Sequence, residues 1–326
     1  MAVRWVLLLV LLMPAVVGAF DGPLPLKNQF PLSLYLLSPR YESPQVEDSL
    51  TLNLAYSSTY MVRQSKDYAI GIDLESAEFS LGFRKVVWDS VQLSVEVPVV
   101  TFASGFMDDA INKYHEMFGF EDYGRRNRPL NSFLFYFKEN GKTLIEGKDG
   151  YIGLGDIRFG VKKAILTSDP LISVMLELEL PTGSDPRAGI GNGSFDAGGS
   201  VMISKDLTND LKAYAVAGVV FPGNYRGDEL IKLRSYLYAN TALQYELSRR
   251  LLLIGQLSIQ GSAYPNTQIP QIDRTAVQFA IGARYRLDKD AVELSFVEDP
   301  STSGAPDFSF NLMYKRVGKE ERTRED

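Results

Sequence analysis

Period-two alternation constrains this chain more than any other feature. Val277, Phe279, Ile281, Ala283, Tyr285 and Leu287 interleave with Gln278, Ala280, Gly282, Arg284 and Arg286, and Val292, Leu294 and Phe296 with Glu293 and Ser295. Successive side chains of a strand point to opposite faces, so each tract builds one oily face and one wet one. On a helix the same residues would scatter charge around the whole circumference. Such tracts recur from Leu50 to Lys315 behind an apolar leader, and that combination specifies an all-β, antiparallel transmembrane β-barrel.

Leu50, Leu52, Leu54 and Tyr56 alternate with Thr51, Asn53 and Ala55; Val91 to Val99 alternate with Gln92, Ser94 and Glu96. Tyr68, Ile70, Ile72 and Leu74 share one parity while Phe79, Leu81 and Phe83 take the other, which predicts a β-bulge near residues 75–77. Short turns at 88–90, 167–169, 208–210, 248–250 and 288–290 separate longer loops at 104–130, 182–193, 223–229, 262–272 and 299–306. Barrels of this class have short periplasmic turns and long outer loops. Counting under that constraint gives about twelve strands with both termini periplasmic. Residues 131–147, with Asn140-Gly141 as a tight-turn signal, are either a hairpin above the membrane or two further strands, for a range of twelve to fourteen. A soluble periplasmic sandwich or lipocalin-like barrel is the competing architecture. Loop asymmetry favours the membrane barrel, with Arg84, Glu96, Asp156, Arg158, Glu177, Glu179, Asp196, Arg234, Arg284, Arg286 and Glu293 as its lumen charges. Burying that many unpaired ions costs several kcal/mol each, so the charges are either paired across the wall or wet.

Residues 1–19 read as a cleaved signal peptide, with Arg4 as n-region, an apolar stretch too short to span, and Val17-Gly18-Ala19 before the cut. The chain is thus exported to the outer membrane of a Gram-negative bacterium, through the barrel-assembly machinery, among outer-membrane lipid and lipopolysaccharide. Without cysteines, an exported chain draws its stability from a closed hydrogen-bond network rather than disulfides. Loss of Arg4 leaves 33 basic against 40 acidic residues, which argues against nucleic acid as a partner. Residues 20–47 carry five prolines and no alternation, so they form an arm, periplasmic or folded into the lumen, with Phe30, Leu32, Leu34, Tyr35 and Leu36 in need of burial. The barrel occupies 48–317, and 318–326 form a charged tail.

The longest outer loop holds the candidate chemistry. Met107, Ile111, Tyr114 and Phe118 fall on one stripe of a short helix over 107–118, with Asp108 at its N-terminal end and Gly119 past its C-terminus. Met107, Asp108, Ile111, His115 and Phe118 are accordingly a candidate lid over the mouth; the alternative is a helix that only caps the rim. His115, the one histidine, is the sole candidate base for a lipid hydrolase, for which a twelve-strand phospholipase barrel is the architectural precedent. No G-x-S-x-G elbow accompanies it, so the chain reads as a non-enzyme with no cofactor or metal. Arg125, Arg126 and Arg128 are candidate contacts to lipopolysaccharide phosphate, since guanidinium forks bind phosphate bidentately; pairing with Glu121 and Asp122 is the plainer reading.

Three stretches carry a resemblance. They are Gly22-Pro23-Leu24 with Asn28-Gln29-Phe30-Pro31, the 105–129 loop with Gly105-Phe106-Met107-Asp108, His115-Glu116-Met117-Phe118-Gly119 and Arg128-Pro129, and Gly153-Leu154-Gly155-Asp156-Ile157-Arg158. Together they resemble a family of uncharacterised bacterial outer-membrane β-barrels. The resemblance implies barrel and compartment, and no activity. The expected function is a passive channel for small solutes gated by the 104–130 loop, against a closed structural or surface-interaction barrel.

Overall fold

The computed structural model describes residues 20–88, 90–119, 124–264, 266–301 and 303–318. The leader, most of the charged tail, Glu121 and Asp122 lie outside the described residues, as does the side chain of Phe118. Twelve antiparallel strands, among the described residues, close on themselves. The first three are β1 (Ser49–Gln64), β2 (Tyr68–Trp88) and β3 (Val91–Ala103). A small hairpin follows, β4 (Leu134–Glu139) and β5 (Lys142–Glu146). The fourth wall strand is broken at Gly155-Asp156 into β6 (Tyr151–Leu154) and β7 (Ile157–Leu166), both paired with β3. Then come β8 (Leu171–Leu180), β9 (Asp196–Asp206) and β10 (Leu211–Phe221), a second small hairpin of β11 (Tyr225–Arg226) and β12 (Leu230–Ile231), and β13 (Tyr236–Ser248). The wall ends with β14 (Leu251–Gln260), β15 (Ala276–Arg286), β16 (Asp290–Glu298) and β17 (Phe308–Val317). Pairing of β17 with β1, from Ser49↔Val317 to Ser58↔Phe308, seals the seam of the twelve-strand wall.

The 131–147 segment resolves as the hairpin, not as two extra wall strands: β4 pairs only with the upper part of β2, Tyr68 to Asp73, above the point where β3 takes over. The bulge expected at residues 75–77 is absent. β1 and β2 run in unbroken register from Ser49↔Arg84 to Gln64↔Ala69. What changes along β2 is the environment, not the register. Ile70, Ile72 and Leu74 point inward into an apolar cluster, and so do Ser76, Glu78 and Ser80 one turn of the pleat lower, in a polar lumen. Phe79, Leu81 and Phe83 point outward, exposed, with the aliphatic residues of the other strands. That outward belt, with exposed Trp88 at the turn end, is the lipid-facing surface of a barrel.

Residues 20 and 318, where the described chain starts and stops, lie with the short turns at one end of the barrel; the long loops lie at the other. Residues 20–47 enter the lumen at the turn end, climb to the loop end by residues 30–37, and descend again to β1. The climbing leg places Asp21 beside Arg286 and Lys212 near the turn end, then Leu24 against Gln256 of β14. At the top Leu37 N–H donates to Asp196 and Tyr236 donates to the Leu37 carbonyl. The return leg sets Arg40 against Glu177, Glu42 against Arg84 and Lys162, and Glu47 against Lys315. An apolar cluster crowns the lumen at the loop end, where Phe30, Leu32, Tyr35 and Leu36 pack with Phe135, Phe137, Ile145, Tyr225, Tyr264 and Ile272.

Candidate functional site: the filled lumen and the external loop

The inward charges are paired. Arg158 donates from Nε to Glu179 at 2.6 Å and lies 3.7 Å from Glu96. Glu96 meets Lys27 at 2.7 Å, and Lys27 also pairs with Glu78. Glu177 holds Arg40 at 2.9 Å, and Arg84 holds Glu42 at 3.0 Å. Arg284 spans Glu293, at 2.7 Å from its Nε, and the carbonyls of Phe20, Gly22 and Pro23. Arg286 pairs with Glu246 at 2.9 Å and with Asp21. Asp156 and Asp196 instead accept backbone N–H groups, from Gly183 and Asn192 and from Leu37 and Gly223 respectively. In a region of low dielectric such pairs repay their desolvation only when the geometry is good and partners are plentiful, and the arm supplies many of the partners through Asp21, Lys27, Arg40 and Glu42.

Arg234 departs from the expected set. It is exposed, precedes β13, and donates to the Ser262 carbonyl in the loops, so it is not a lumen residue. Sequence reasoning also missed half of the site. Asp21, Lys27, Arg40, Glu42 and Glu47 of the arm, with Lys162, Glu78, Lys212 and Lys315 of the wall, complete the network. Its signal was available: in the arm, five charges sit among prolines and large apolar residues, an unusual mixture for a solvated tail.

The described residues of the 104–133 loop lie outside the mouth. They cross the outer face of the wall at the loop end and cover polar groups that would otherwise face outward there. Glu75, outward on β2, accepts the backbone N–H groups of Phe106 and Met107 and the Tyr56 hydroxyl. Gly105 adopts a φ of 74°, and a side chain there would strike the Glu75 carboxyl, so glycine is required at this crossing. The helix α1 (Asp108–Phe118) follows, buries Ile111, and ends at Gly119, which adopts a left-handed conformation. Asp108 receives Arg125 and the Asn131 N–H.

These contacts decide the placement of the loop residues. Met107, Asp108 and Ile111 hold α1 against the outside of the wall, and His115 lies half-buried on the same helix. The lid reading is therefore corrected to an external clasp: the loop's polar partners on β1 and β2 all face outward, away from the lumen. Arg125 is 4% exposed and is the clasp's pin, bound to Asp108, Asp307 and the Ser58 hydroxyl, with its guanidinium 5.5 Å from the Tyr60 ring centre. Burial alone would lower its pKa, but Asp307 and Asp108 outweigh that and raise it. Arg128 binds Asp73 and Ser132; Arg126, the exposed one of the three, lies 3.7 Å from Glu116. Arg125 and Arg128 thus hold the loop to the wall instead of presenting themselves to phosphate. Among the described residues no group of three His, Cys, Asp or Glu side chains is arranged to hold a metal ion.

A family model described as "Protein of unknown function (DUF3187)" matches residues 6–316. The chain belongs to this family. No curated protein matches the sequence. Among solved structures, the chain is similar to the COG4313 outer membrane channel from Pseudomonas putida F1, at 15% identity, with 88% of this chain and 98% of that chain covered and a TM-score of 0.57. It is also similar to the NanC porin (10% identity, 83% and 100% covered, TM-score 0.48) and to a KdgM porin in complex with disordered oligogalacturonate (8%, 83% and 99%, TM-score 0.45). At such identities the first of these shows the fold: a closed twelve-strand antiparallel barrel of the outer-membrane type.

Proposed function

We propose that this protein is a passive outer-membrane channel for small solutes whose lumen is closed by its own N-terminal arm. The turn end and both termini are assigned to the periplasm and the long loops to the outside, with lipid and lipopolysaccharide around the belt and the barrel-assembly machinery as the insertion partner. One observation carries the reading. Among the described residues, the arm at 20–47 makes no backbone-to-backbone hydrogen bond with the wall, whose ladder closes without it. The arm is held by side chains, as an inserted plug is, and not woven into the sheet. The channel named in the similar Pseudomonas putida structure supports the same class of function. No enzyme chemistry is proposed.

A closed structural barrel is the second reading, favoured by the apolar cap and by the number of buried ion pairs that the arm completes. Planar-bilayer recording separates the two. The mature protein with the arm is expected to be silent to ions, and the protein lacking residues 20–46 is expected to give stepwise currents. Silence from a folded, arm-deleted barrel would support the structural reading.

A further inference from the structure

Wall side chains grip the climbing leg of the arm by its peptide backbone. Gln256 of β14, itself 2% exposed, accepts the Leu24 N–H at 2.8 Å through its amide oxygen and donates to the Leu24 carbonyl at 3.2 Å through its amide nitrogen. Gln244 of β13 accepts the Gly22 N–H at 3.0 Å. Arg284 of β15 donates to the carbonyls of Phe20, Gly22 and Pro23. An amide that accepts from and donates to one residue's main chain reads an extended peptide as a neighbouring strand would, whatever side chain that residue bears. Leu24 is fully buried over Gly282, where an added Cβ would fall 2.8 Å from the leucine Cδ2, so glycine opens a notch for an apolar side chain.

Charge reads the ends of the leg. Asp21 pairs with Arg286 and, at 2.8 Å, with Lys212; Lys27 pairs with Glu78 and, at 2.7 Å, with Glu96. These pairs follow an axial division of the wall. Near the turn end the inward cations Arg84, Lys162, Lys212, Arg284, Arg286 and Lys315 outnumber Glu246, Glu293 and the exposed Asp206 among the described residues. Farther up, Glu78, Glu96, Asp156, Glu177, Glu179 and Asp196 outnumber Arg158. Every charge of the arm, Asp21, Lys27, Arg40, Glu42 and Glu47, lies in the zone of opposite sign. Pro23 and Pro25 fix φ between the two ends and hold the leg extended. At about 3.1 Å per residue, the Asp21 and Lys27 positions stand about 19 Å apart.

We infer that the inner face of β10 and β13–β15, with Glu78 and Glu96 across the lumen, is a binding site for short extended peptides, and that the arm occupies it in cis. The ligand class is a proline-containing peptide with a carboxylate toward the turn end, an apolar residue for the Gly282 notch, and a cation toward the loop end at the spacing of Asp21 and Lys27. Main-chain hydrogen bonds supply affinity; the notch and the two charged zones supply selection. The inference rests on the arm being an inserted plug, and it requires no solute to cross the barrel.

A tethered arm outcompetes a free peptide through its effective concentration, so the test uses the mature barrel lacking residues 20–46, refolded in detergent and checked by heat-modifiable migration. The probe is a synthetic peptide of residues 20–28 with a fluorophore after Asn28, read by fluorescence anisotropy. It should bind saturably. Exchange of its Asp21 and Lys27 should weaken binding at least about tenfold, and so should Gln256→Leu in the barrel, which removes both hydrogen bonds to Leu24. No saturable binding at millimolar peptide, or equal binding of the exchanged peptide, would overturn the site. If the deleted barrel does not refold alone, free peptide 20–47 added during refolding should restore heat-modifiable migration, and the version with Asp21 and Lys27 exchanged should not. Rescue by both, or by neither, would likewise overturn it. Peptide binding beside silent bilayers from the arm-deleted barrel would overturn the channel reading and leave the site standing; currents without peptide binding would do the reverse.

Discussion

The arm at 20–47 and the loop at 104–133 are both non-barrel segments pinned by arginine, yet one lies inside the wall and the other outside it. The arm brings charges of both signs, and at its top the Leu37 N–H, that match inward partners along most of the lumen's height, from Arg286 near the turn end to Asp196 near the loop end. The loop's contacts with the strands fall on outward groups at the loop end, Ser58, Tyr60, Asp73 and Glu75, where the lipid belt has ended. The difference teaches that a segment without strand periodicity goes where its buried polar groups find partners, and not where its length or apolar stripe would suggest.

That comparison yields graded predictions. Arg284→Ala should have the largest effect of the single substitutions. It strands Glu293 in the lumen and releases the Phe20, Gly22 and Pro23 carbonyls, a loss of about 3–5 kcal/mol, read as a lower guanidinium midpoint and faster proteolysis of the arm. Arg125→Ala should cost about 1.5–3 kcal/mol of loop anchoring, opening the 104–133 segment to protease while arm cleavage stays unchanged. If either substitution exposes both segments together, arm and loop are one cooperative unit and the comparison fails.

Much of the barrel is legible in the sequence because period two is a local property: each tract states its own two faces. Twelve strands, the side of the turns and most lumen charges follow from it. The absent bulge on β2 shows the limit. Ile72 and Phe79 have opposite parity in sequence because an apolar cap fills the upper lumen while lipid covers the lower wall, and alternation alone does not distinguish a change of surroundings from a change of register. Arg234 fails for a related reason, since the parity that would aim it inward ends with the strand at Tyr236. Placement of the α1 loop required knowing that Glu75 and Asp73 face outward and are buried, a tertiary fact absent from the loop's own stripe.

Two smaller effects sharpen the external side. Asp299, in the loop between β16 and β17, has its pKa pushed up by burial to about 6 from 3.8, despite the N–H groups of Ser301 and Ser303 that favour the carboxylate. Its folded form therefore holds a proton that the opened loop gives up. Stability of this loop should fall as pH rises from about 3.8 to about 6 and level off above that range. Amide exchange of Ser301 and Ser303, corrected for intrinsic rates, should show that slope, and Asp299→Asn should flatten it. Least of all, Lys142→Ala breaks an exposed pair with Glu229 and should change the unfolding free energy by no more than about 0–1 kcal/mol.

The central claim is that the arm, and not the outer loop, closes the lumen. Single-channel recording of three folded proteins in one bilayer system tests it most directly: the intact mature chain, a version lacking residues 20–46, and a version lacking residues 105–128. The account predicts stepwise ionic current from the arm-deleted protein alone. Current from the loop-deleted protein, with silence from the arm-deleted one, would contradict it.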